Sequence, residues 1–96
     1  MYGLTGKMKA VPGKRGELST ILLEGLREMP GNLSYVVALD PNEPDTIWIT
    51  EVWTDAAAHK ASLSTPSVQK AITKGRPLIA GMERVAETEP LDGHGL

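Results

Sequence analysis

The stretch Thr46 to Thr54, Thr-Ile-Trp-Ile-Thr-Glu-Val-Trp-Thr, constrains the fold of this chain more than any other segment. Its β-branched and aromatic residues read as a strand, and strand alternation sends Ile47, Ile49 and Trp53 to one side and Trp48 and Val52 to the other. Apolar side chains at both parities require cover on both faces of the sheet that holds this strand. The chain has 96 residues, and dividing it into two cores would leave each half near the ~40-residue limit below which staples or partners are needed. The cover must therefore come from one domain or from a second molecule.

The remaining segments supply the rest of one layer. Between Tyr2 and Ala10, apolar Tyr2, Leu4, Met8 and Ala10 alternate with polar residues, the period of a half-buried strand, and Val11-Pro12-Gly13 ends it. From Lys14 onward Leu18, Ile21, Leu22, Leu26 and Met29 recur at helical spacing until Pro30-Gly31-Asn32. Leu33 to Leu39 reads as a second strand, joined to the third by the polar turn Asp40 to Asp45. Asp55 is placed to cap a helix starting at Ala56, and Thr65-Pro66 marks a second start, so the second helix is broken. Val68, Ala71, Ile72 and Ile79 give its later part an apolar stripe, Gly81 to Glu87 offers a last strand, and Leu91 to Leu96 reads as a loose tail. This predicts one domain over 1–90 with a tail at 91–96.

The order β-α-β-β-α-β is the split βαβ motif of the ferredoxin-like α+β fold, a four-stranded antiparallel sheet with helices on one face. The helix-free face, carrying Trp48 and Val52, then has no cover of its own. A homodimer pairing through that face is the expected solution.

Composition removes several classes of function. Ten Lys and Arg against twelve Asp and Glu, with no run of like charge, leave no electrostatic footprint for nucleic acid or an anionic membrane. The absence of cysteine excludes disulfides, thiolate metal sites, iron–sulfur clusters and thiol catalysis. No apolar run reaches signal-peptide or membrane-spanning length, so a cytoplasmic location is the expectation.

Chemistry is concentrated in Glu51-Val52-Trp53-Thr54-Asp55-Ala56-Ala57-Ala58-His59. Ile49, Glu51 and Trp53 share one face of the third strand, and His59 projects from the first turns of the following helix, from where it can return to the strand end. A carboxylate facing an imidazole fixes its tautomer and raises its basicity. Taken singly, Trp53 is explained as core, Glu51 as a partner of some nearby polar group and His59 as a half-exposed residue. Asp55 and His59 have i,i+4 spacing, but two ligands do not make a metal site and Asp55 is better explained as the cap; no metal is expected. Lys70, Lys74 and Arg76 are either anion-binding or a solvated helix face, and Tyr35 faces either a cavity or a partner.

With Glu51-x-Trp53 ending the third strand, His59 six residues beyond the tryptophan, Val11-Pro12-Gly13-Lys14 after the first strand and Asn32-Leu33-Ser34-Tyr35 opening the second, the chain resembles the antibiotic biosynthesis monooxygenase family from Tyr2 to about Glu89, in particular its small quinol monooxygenase-like branch. The resemblance implies a homodimer with facing sheets, and a cavity in each protomer between sheet and helices. It also implies oxidation of a small phenol or hydroquinone by molecular oxygen without flavin, haem or metal, and thus no cofactor. On this reading His59 and Glu51 are the catalytic pair, while Trp53, Tyr35 and Ile49 bind substrate. Polyketide-oxidising members carry a tyrosine where this chain has His59 and an asparagine where it has Ile49, which argues for a different substrate. Haem-degrading relatives use a histidine on the second helix, and this chain has none between Lys60 and Glu89. A cofactor-free isomerase of a small carbonyl compound and a non-catalytic dimeric ligand-binding module remain as alternatives on the same fold.

Overall fold

In a computed structural model, which describes residues 1–26 and 29–96, the elements run β1 (Tyr2–Ala10), α1 (Arg15–Glu24), β2 (Asn32–Leu39), β3 (Thr46–Trp53), α2 (Ala56–Ser62), α3 (Pro66–Gly75), a 3-10 turn (Arg76–Leu78) and β4 (Ile79–Thr88). The strands form one antiparallel sheet in the order β2-β3-β1-β4. β3 is an interior strand, as its apolar residues at both parities require. The arrangement is the ferredoxin-like α+β fold.

The register fixes what each face carries. Tyr2 stands opposite Trp53, Leu4 opposite Glu51 and Met8 opposite Ile47. On this side Leu4, Met8 and Ala10 of β1 and Ile47, Ile49 and Trp53 of β3 are buried, and Leu18 of α1 closes over them with no exposed surface. The other side pairs Gly3 with Val52, Thr5 with Thr50 and Lys7 with Trp48. Trp48 is half-buried there: its indole N–H donates to the Asp40 carboxylate at 2.7 Å, and the Lys7 ammonium lies 5.5 Å above its ring. Asp40 also accepts the backbone N–H groups of Asn42 and Glu43, while Arg15 donates to the carbonyls of Asp40, Glu43 and Thr46, tying the start of α1 to the hairpin turn.

Three expectations are corrected. The helix read from Lys14 to Met29 closes at Glu24, with Gly25 as its C-cap; the portion of that reading at 27–28 lies outside the described residues. Gly25 is buried where α1 meets α3, and a Cβ on it would stand 2.9 Å from that of Ala71, so close helix contact selects a residue with low helix propensity. Ile79 belongs to β4 rather than to a helical stripe. α3 ends at Gly75, Pro77 sits in the 3-10 turn, and Ile79 pairs with Ala10. β4 also runs longer at both ends than Gly81 to Glu87, with an extra residue, Val85, between the partners of Thr5 and Gly6.

Candidate active site

Local sequence at two turns aims His59. Asp55 caps α2, its carboxylate accepting the backbone N–H of Ala58 at 2.7 Å. Gly31 has φ +83, and a Cβ there would lie 2.6 Å from that of Ala58; the Thr54 N–H donates to the Gly31 carbonyl at 2.8 Å. Glycine at this turn therefore provides both the left-handed backbone and the room for α2 to dock against the end of β3. His59, on the next residue of α2, faces two rings: its centroid is 5.4 Å from Trp53 in an edge-on arrangement and 5.6 Å from Tyr2.

Glu51 lies beneath this group. One oxygen, Oε1, accepts the Trp53 indole N–H at 3.1 Å and stands 3.9 Å from His59 Nε2. The second contact is of ion-pair length, longer than a hydrogen bond. Only 12% of the Glu51 side chain and 16% of that of His59 are exposed. Burial raises the Glu51 carboxyl above its ordinary 4.5, against the opposing pull of the Trp53 bond and of the His59 and Arg84 charges. Tyr35 stands opposite Glu51 in the β2–β3 register. Burial, and then the Glu51 carboxylate, push its phenol well above the ordinary tyrosine value, so it remains a hydrogen-bond donor at neutral pH.

Tyr35, Ile49, Glu51, Trp53 and His59 all line one cavity of about 560 Å³ between the sheet and the helices. Its walls are otherwise mainly apolar, including Met8, Leu18, Leu22, Ile79 and Met82. Protein interiors contain few voids larger than a water molecule, and this volume lies in the range of small-molecule sites. Asp55 is used as a cap, and among the described residues no group of three or more His, Cys, Asp or Glu side chains is arranged to hold a metal ion.

Sequence reasoning did not single out Tyr2 or Arg84. Tyr2 was detectable, because the ferredoxin-like order makes β1 and β3 antiparallel neighbours and so brings the start of one beside the end of the other. Its hydroxyl donates to Glu87 at 3.2 Å, and Glu87 also accepts from Arg84, which lines the cavity. Arg84 was not, because the extra residue Val85 shifts the register of β4.

A family model, antibiotic biosynthesis monooxygenase, matches residues 1–74. The chain belongs to the antibiotic biosynthesis monooxygenase family. A solved structure from Chloroflexus aurantiacus J-10-fl, assigned by its name to these monooxygenases, is similar at 61% identity and a TM-score of 0.90, over 97% of this chain and 95% of that one. Another, from Deinococcus radiodurans, is 25% identical with a TM-score of 0.78, over 97% and 95% of the two chains. An uncharacterized protein of Synechocystis is 30% identical over 92% of this chain, which spans 65% of that relative's length.

Proposed function

We propose that the protein is a cofactor-independent monooxygenase that oxidises a small phenol or hydroquinone with molecular oxygen. The observation that carries this reading is the Glu51, Trp53 and His59 cluster at one end of a mainly apolar cavity large enough for an aromatic ring. His59 is the base that takes the phenolic proton, and Glu51 stabilises the cation formed. Trp53 and Ile49 pack against the ring, and Tyr35 donates to a ring oxygen. Removing the proton raises the electron density of the ring, which itself reduces oxygen. One oxygen atom bonds to a ring carbon; the hydrogen of that carbon and the phenolic proton leave with the other as water, so a phenol and O₂ yield a quinone and H₂O. The protein's share is positioning, one base and exclusion of solvent.

The proposal includes a homodimer through the helix-free sheet face. Val36 is 52% exposed, and the register puts it on the same face of the sheet as Trp48 and Val52. A second copy placing the same face against it buries this surface.

An oxygen-electrode screen across phenols and hydroquinones tests the activity. The wild type should consume oxygen with at least one ring, and His59→Ala should lose most of that rate. Ring binding without oxygen uptake throughout the set would move the protein to the isomerase or binding-module class.

A further inference from the structure

Among the described residues, the cavity wall carries the charges of Glu51, Arg76 and Arg84 together with the His59 imidazole. Arg84 is matched by Glu87. Lys74, two residues before Arg76, pairs with Glu24 at 3.9 Å and lines a separate groove between α1 and α3. Arg76 makes no ion pair with any described residue. Of the basic residues Lys70, Lys74 and Arg76, it alone lines the cavity, and no carboxylate of a described residue pairs with it.

Its place along the sheet gives this charge a meaning. The 3-10 turn that begins at Arg76 lies beside the far end of β1: the Val11 N–H donates to the Leu78 carbonyl at 2.8 Å and Ile79 pairs with Ala10. Glu51 pairs with Leu4. Leu4 and Ala10 are six residues apart on β1, so the two groups belong to different parts of the strand's length. Glu51 and Arg76 thus enter the cavity wall beside different stretches of β1, with apolar Met8, Ile49 and Ile79 among the residues of the same wall.

We infer that the substrate is an aromatic acid, a ring carrying a carboxylate on an apolar spacer, with the ring at Glu51 and His59 and the carboxylate on Arg76. The inference rests on the proposed oxidation of a phenol or hydroquinone for its account of the ring end. A guanidinium presents paired N–H donors that match a carboxylate.

The test uses binding, so that it does not depend on turnover: tryptophan fluorescence of the full chain is titrated with phenylbutanoate and with phenylbutanamide, neither of which is a phenol. The wild type should prefer the acid by about tenfold, the scale of one charge-assisted hydrogen bond. The preference should fall to near unity in Arg76→Met, survive in large part in Arg76→Lys and be unchanged in Lys74→Met. If Arg76→Met does not fold, Arg76→Gln reads the same loss. Equal binding of acid and amide by the wild type, no saturable binding of the acid at millimolar concentration, or a preference that persists without the arginine overturns the inference. Arg76-dependent binding in a protein that consumes no oxygen with any hydroquinone would leave it standing and remove the monooxygenase reading instead.

Discussion

Glu51 holds a charge where the fold disfavours one. Burial raises its carboxyl, so the folded state binds that proton more tightly than the unfolded chain does. The stability linked to that proton is fully present below the ordinary carboxylate range and is lost as pH rises through the raised value. Glu51→Gln keeps the shape and an acceptor for the Trp53 indole while removing this dependence. Thermal denaturation should therefore show the variant gaining stability relative to wild type between pH 4 and pH 7, while its oxidation rate falls. A constant difference in Tm across that range would contradict the assignment. His59→Ala removes the proposed base, and turnover should drop by roughly a hundred- to ten-thousand-fold with little change in Tm. Trp53 does two jobs: it is 1% exposed and its indole orients Glu51. Trp53→Ala should cost about 3–5 kcal/mol of stability, visible in urea denaturation, as well as weakening substrate binding.

The elements matter to the site through their ends. α2 has only seven residues, and its direction is set by Asp55 at its start and by Gly31 beneath Ala58. Gly31→Ala would combine a left-handed backbone with a 2.6 Å approach to Ala58, a loss of about 2 kcal/mol. Tm should fall by about 8–16 °C and activity should fall with it, since His59 moves with α2. An unchanged Tm would show that the turn relaxes without cost. Sequence pattern made β1, β3, the Asp55 cap and the Thr65-Pro66 break legible, because alternation, capping and proline act locally. The end of α1 was not legible in the same way. Leu26 and Met29 continue its spacing, and the glycine at its C-cap is required by contact with Ala71, more than forty residues away. Likewise Glu51, Trp53 and His59 share a short segment whose strand and helix periods place them together, whereas Arg84 and Tyr2 join them only through pairing across the sheet.

At the scale of the whole molecule, the helix-free face and the cavity divide the two sides of one sheet. Trp48 on the first side is half-buried and held by Asp40, with Lys7 above its ring. Sedimentation at micromolar concentration should give a dimer, and Trp48→Glu should give a monomer or an insoluble chain; a folded wild-type monomer would contradict the proposed assembly. On the other side, a ninety-six-residue chain leaves about 560 Å³ unfilled in the layer where its core is built. The claim that this space is a site of ring oxidation is tested most directly by isotope. With ¹⁸O₂ and a phenol that the wild type turns over, the quinone should gain one labelled atom and the second should appear in water, at a rate at least a hundredfold lower in His59→Ala. A product whose added oxygen comes from water, or equal labelling rates in the two proteins, would contradict the account.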